Sequence, residues 1–222
     1  EHRPVGVEQA LVEQNREARR GREQAGREEE HAAEAPADLA PAAELQRQGF
    51  QTVVVNPRGV EIPQISTSLF DFRKMKEDLL FSVNHIKQKF PEFRLYFMGF
   101  SYGACYGTAF MADHPGELSG MVSVRNPFNI IKAIRNLETM SNIFYRYYLI
   151  NCMTEKMDFN LEAVKKTLKE KNLQDVDENF TFKIFDDIDS KTYYDSFSCD
   201  EYLSKITSPV LFINSMNDPI SK

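Results

Sequence analysis

Residues 97–107 read Phe-Met-Gly-Phe-Ser-Tyr-Gly-Ala-Cys-Tyr-Gly, an apolar run that ends in Gly-x-Ser-x-Gly and passes at once into small residues. Leu95-Tyr96-Phe97-Met98 is short and apolar, the pattern of a buried strand. Ala104, Gly107 and Ala109 let a following helix lie close to a sheet. Gly99 and Gly103 flank Ser101 at a sharp strand-to-helix turn, where a Cβ at either glycine would collide with neighbouring backbone. Such a turn lifts the Ser101 hydroxyl clear of the sheet edge. It also aims the backbone N–H of Tyr102, at the helix N-terminus, towards the place where an oxyanion would develop. A bare Gly-x-Ser-x-Gly also describes an ordinary turn between a strand and a helix. The strand before it and the small-residue helix after it favour a nucleophile.

The flanking pattern extends this unit into an α/β architecture. Thr52-Val53-Val54-Val55 reads as a buried strand entering the turn Asn56-Pro57-Arg58-Gly59. Phe72, Met75, Leu79, Val83, Ile86 and Phe90 recur at helical spacing and predict a helix over 69–90, closed by Pro91. A strand at 94–98, a helix from the serine turn to about His114 and a strand at 120–124 follow. Residues 208–213, Ser-Pro-Val-Leu-Phe-Ile, predict a last strand. Strands and helices in alternation with short connections imply a mostly parallel sheet with helices on both faces. Ligand chemistry in such sheets sits at the carboxyl ends of the strands, where Ser101 falls.

Residues 126–206 break the alternation. They are helical in pattern and rich in aromatics, densest at Phe144-Tyr145-Arg146-Tyr147-Tyr148-Leu149-Ile150, with a charged helix expected at 161–171 and a second aromatic pair at Tyr193-Tyr194. A stretch this long reads as a helical cap inserted over the site, its aromatics contacting an apolar substrate, or as ordinary helical packing against the sheet.

Residues 1–48 have another composition. They contain no Lys, Ser, Thr, Ile, Met, Phe, Tyr or Trp and are built largely of Ala, Glu, Gln, Arg and Gly. We read them as a tail, helical or disordered, foreign to a folded domain that begins at Gly49. A net charge of −6 offers no basic stripe for nucleic acid. Cys105, Cys152 and Cys199, odd in number and widely spaced, fit free thiols in a reducing compartment better than a disulfide framework. No Cys-x-x-Cys or His-x-x-x-His spacing points to a metal.

A serine hydroxyl needs a base to take its proton and a carboxylate to orient that base. Asp218 lies just past the last strand, where the carboxylate belongs; the same residue also suits an Asx-type turn before Pro219. The four histidines, His2, His31, His85 and His114, all precede Asp218 and none suits the role. A histidine after Asp218 and a second oxyanion donor from a strand before Thr52 are both expected and both absent from this sequence. The reading is therefore a partial domain, incomplete at both ends and inactive alone. The alternative is a catalytically incomplete pseudoenzyme acting as a binding module.

Asn56-Pro57-Arg58-Gly59, Glu77-Asp78-Leu79, Gly99-Phe100-Ser101-Tyr102-Gly103, Tyr193-Tyr194 with Ser198-Cys199, and Pro209 to Asn214 with Asp218-Pro219 together resemble the α/β-hydrolase fold, in its YheT-like branch. The resemblance covers about residues 49–222. It implies a serine hydrolase acting on carboxylic esters, expected to be phospholipids or acylglycerols. Ser101 would be the nucleophile, Asp218 the acid and Tyr102 an oxyanion donor. No metal or organic cofactor is implied. Relatives in this branch also make association with a membrane surface an expectation. Asn217 stands where the branch usually has an aspartate, and Ala104 replaces a common glycine.

Overall fold

The computed structural model describes residues 9–14, 40–56, 72–148, 190–218 and 220. Strand β3 (Arg94–Phe100) is the axis of the fold. Its burial alternates, with Leu95, Phe97 and Gly99 buried on one face and Tyr96, Met98 and Phe100 half-buried on the other. β4 (Gly120–Val124) pairs with β3 in parallel, and β5 (Val210–Ile213) pairs with β4 in parallel. Phe100, Val124 and Ile213 therefore share one row at the carboxyl edge of the sheet.

The helix after β3, α3 (Tyr102–Asp113), is buried without interruption from Gly103 to Met111. A helix apolar all round belongs inside. Gly107 is what lets it approach: a Cβ there would lie 2.7 Å from Cδ1 of the Phe97 ring. Helix α2 (Phe72–Lys89) turns Met75, Leu79, Val83 and Ile86 into the same core cluster as Phe97, Phe110 and Met121. This is the helical stripe that the sequence predicts over 69–90, although 69–71 lie outside the described residues. The Lys76 ammonium, 2.5 Å from the Asp113 carboxylate, ties α2 to the end of α3.

The sheet differs from expectation in the middle. Its order is β2-β1-β3-β4-β5, where β1 is Gln9–Gln14 and β2 is Phe50–Val54. β1 lies between β2 and β3 and runs antiparallel to both. Four strands share one direction and β1 opposes them. Composition assigns 1–48 to a helical or disordered tail, and this needs correction at 9–14. A slot between two strands presents unpaired N–H and C=O groups on both sides, and a short segment that fills it satisfies them through backbone alone. Ala40–Arg47 forms helix α1, which leads into β2 through Gly49 at φ 91°. The amides of Gln48 and Gly49 bond back to Glu44 and Gln46 carbonyls and close that helix. The compositional step at 48/49 falls in the turn between α1 and β2.

Of the insertion at 126–206, residues 149–189 lie outside the described residues, and with them the charged helix expected at 161–171. Helix α4 (Ile130–Leu137) begins the insertion and α5 (Ser190–Phe197) begins its return. Tyr194 is buried, and Tyr193 and Tyr202 pack against the core cluster. These aromatics follow the ordinary-packing alternative. Phe144 and Tyr145, by contrast, are 83% and 52% exposed.

Candidate active site

Ser101 occupies the junction between β3 and α3 with φ 50° and ψ −117°, a conformation strained for any residue with a Cβ. The reason lies two residues earlier. A Cβ on Gly99 would meet the Gly103 carbonyl oxygen at 2.6 Å and the Ala104 nitrogen at 2.8 Å. The end of the strand and the first turn of the helix are therefore in backbone contact, and the chain has to reverse within Ser101. The Ser101 N–H donates to the Val124 carbonyl at 2.9 Å, and the Ser101 carbonyl accepts from the Cys105 N–H at 3.2 Å. Both ends of the residue are fixed while its side chain is exposed and makes no capping bond to the helix. Tyr102 opens α3, and N–H groups of a first turn have no acceptor within their own helix.

Two further strained residues share this edge. Arg125 has φ 52° and Phe128 has φ 50°, both just past β4. Asp218 follows β5 on the same carboxyl edge, since Ser101 succeeds Phe100 and Asn214 succeeds Ile213 in the shared row. Two interstrand spacings, about 10 Å, separate the roots of the two loops. Asp218 is buried, its Oδ1 accepts from the Ile220 N–H at 2.8 Å, and its own N–H donates to the Ser215 carbonyl at 3.2 Å.

Between these loops lies a buried polar cluster that sequence patterns did not reveal. Asn126 has no exposed surface. Its Nδ2 donates to Thr108 Oγ1 and to Ser123 Oγ, each at 3.0 Å, and its Oδ1 accepts from the Phe128 N–H at 2.8 Å and from Cys199 Sγ at 3.4 Å. The one signal in the sequence is an amide side chain two residues past a buried strand and directly before Pro127. Cys105 and Cys199 are both buried, free thiols. The hydrogen bond to Cys199, together with burial, pushes the Cys105 thiol well above its usual range. Cys152 lies outside the described residues.

No described histidine reaches this edge. His114 caps the far end of α3, about 18 Å along a helix of this length. His85 is exposed on α2 and stacks on Phe81 at 6.4 Å. His2 and His31 lie outside the described residues. β1 also presents its first residue at the Ser101 edge, because Gln9 pairs with Gly99 and Gln14 with Arg94. A loop following β1 would leave from the opposite edge. Among the described residues no helix is long and apolar enough to cross a membrane.

A mostly parallel sheet with a strained serine turn at its carboxyl edge defines the class: an α/β protein with a tight strand-to-helix turn where the strands end. Residues 34–222 match the family model for the alpha/beta hydrolase fold, and the chain belongs to that family. It is 27% identical over 185 residues to an abhydrolase domain-containing protein of Dictyostelium discoideum, covering 78% of this chain and 47% of that protein. A monoacylglycerol lipase of Saccharomyces cerevisiae is 26% identical over 187 residues, covering 77% and 41%. The phospholipase ABHD3 of Bos taurus is 24% identical over 184 residues, covering 78% and 44%. The chain spans about half the length of the curated relatives it matches.

Proposed function

We propose that the protein is a serine hydrolase that cleaves carboxylic acyl esters of lipids through an acyl-enzyme. The single observation that carries this reading is the strained Ser101 turn, held by Gly99 and Val124 at the edge where Asp218 also lies. Ser101 Oγ attacks the ester carbonyl while an imidazole from outside the described residues accepts its proton. The Tyr102 N–H stabilises the tetrahedral oxyanion, a contribution of about 2.7–4 kcal/mol for one such donor. Collapse expels the alcohol, which takes the proton back from the imidazolium. Water then attacks the acyl-serine by the same route and releases the fatty acid. Asp218 orients the imidazole and stabilises its charged form.

A lipidic ester is favoured by two supports. Relatives are named monoacylglycerol lipase and phospholipase. The inserted segment also carries exposed aromatics at Phe144, Tyr145, Tyr147 and Tyr148. The reaction itself calls for no metal or organic cofactor. A second reading, a non-catalytic binding module on the same sheet, draws on His114, which sits at the far end of α3 from the serine. A serine-directed fluorophosphonate probe separates the two. The intact protein is expected to label and its Ser101→Ala variant to remain unlabelled. Equal labelling of both removes Ser101 from the mechanism, and labelling of neither supports the binding module.

A further inference from the structure

The backbone ladder between β4 and β5 ends with the Arg125 N–H donating to the Ile213 carbonyl at 2.8 Å. One step further the strands cease, yet the pairing continues. The side-chain amide of Asn214 takes the place of a peptide group: its Oδ1 accepts from the Asn126 N–H at 3.2 Å and its Nδ2 donates to the Asn126 carbonyl at 2.8 Å. The main chain at Asn214 is thereby released from the ladder and turns towards Asp218. The next residue, Ser215, receives the Asn217 N–H on its Oγ at 3.3 Å and the Asp218 N–H on its carbonyl at 3.2 Å.

On the other side, Asn126 reaches the nucleophile helix through Thr108, whose own hydroxyl donates to the Ala104 carbonyl at 2.7 Å. All four polar groups of Asn126 are used: one bond each at the main-chain N–H and C=O, and two each at the side-chain amide and carbonyl. A buried amide with every bond formed has one orientation, and its main chain is then a fixed anchor for Asn214. We propose that Asn126 and Asn214 form a positioning clamp that sets the Asp218 loop relative to the Ser101 turn. This rests on the assignment of Ser101 and Asp218 above. Asn126 and Asn214 are positioning residues, acting through Asp218 rather than on the substrate.

Asn214 is the residue to change, because it is exposed and its loss removes nothing from the core. The readout is the second-order rate of fluorophosphonate labelling of the intact protein, with the thermal midpoint measured alongside. Asn214→Ala is expected to slow labelling by about 10- to 100-fold, the cost of displacing a catalytic group by a fraction of an ångström to an ångström. Its midpoint should fall by a few degrees, since the buried Asn126 N–H and C=O lose their partner, with the protein still folded at the labelling temperature. Asn214→Asp keeps the acceptor but sets a carboxylate oxygen against the Asn126 carbonyl, so it should label at least as slowly as Asn214→Ala. Asp218→Ala should label as slowly as Asn214→Ala or more slowly, and the double variant should be no slower than Asp218→Ala alone.

A purely structural role would instead lower the rate in both backgrounds, and that additive outcome overturns the clamp. Wild-type labelling of Asn214→Ala and Asn214→Asp, with Asp218→Ala slow, also overturns it and leaves the acid assignment standing. Wild-type labelling of Asp218→Ala removes the acid assignment, and the clamp falls with it.

Discussion

At the scale of single residues, the site is a place of stored strain. Ser101, Arg125 and Phe128 all carry positive φ within one edge of the sheet, and each such residue costs on the order of 1–3 kcal/mol. The strain at Ser101 comes from the backbone contact between Gly99 and Gly103, which no flexible side chain can relieve. Ser101→Gly should therefore raise stability in urea denaturation, by about 1 kcal/mol, while abolishing probe labelling. An unchanged or lower midpoint would mean that the turn is not strained in solution. The tight serine turn with its glycines, and the loop that carries Asp218 past β5, were legible in the sequence because strand, turn and helix patterns are local. Asn126 was not, because an amide just past a strand declares nothing about the five residues it will bond.

Among the elements, α3 is the one on which everything else is built. It carries Ser101 at its head, Thr108 at its middle and a fully buried face against α2 and the sheet. One member of that face, Tyr106, has its phenol pushed far above its usual range, chiefly by burial, with Asp78 adding to the effect. The native state keeps that proton after the unfolded state has lost it. Stability is therefore fully present below the unfolded tyrosine pKa of about 10 and declines as pH rises beyond it. Tyr106→Phe should flatten the alkaline fall in unfolding free energy by about one proton. An identical pH slope in both proteins would contradict this. Helix α2, strand β3, helix α3 and strand β4 were all legible, since their apolar periodicity is local. The burial of Tyr193 and Tyr194 was not, because an aromatic in a helix reads the same whether it meets a core or a ligand.

At the scale of the whole molecule, the sheet order separates what local pattern can give from what it cannot. Three parallel strands follow from short connections and right-handed crossovers. The entry of Gln9–Gln14 between β2 and β3 does not, because that pairing joins residues 9 and 99 through backbone bonds to which side-chain composition is blind. The other end of the sheet also has a consequence. Among the described residues β5 is the edge strand, with Leu211 58% and Ile213 48% exposed, and Met216 is 93% exposed just beyond it. An apolar edge of this kind is a template for further pairing. The 222-residue chain should self-associate with rising concentration in sedimentation velocity, and Leu211→Lys should suppress this. A monomer at every concentration would show that the edge is covered.

The central claim, a nucleophilic hydroxyl on the tight turn after β3, is tested most directly by mass-mapping the fluorophosphonate adduct on the intact protein after trypsin digestion. The adduct mass should fall on the peptide from Leu95 to Arg125 and fragment to Ser101. An adduct on any other serine, with that peptide unmodified, would contradict the account.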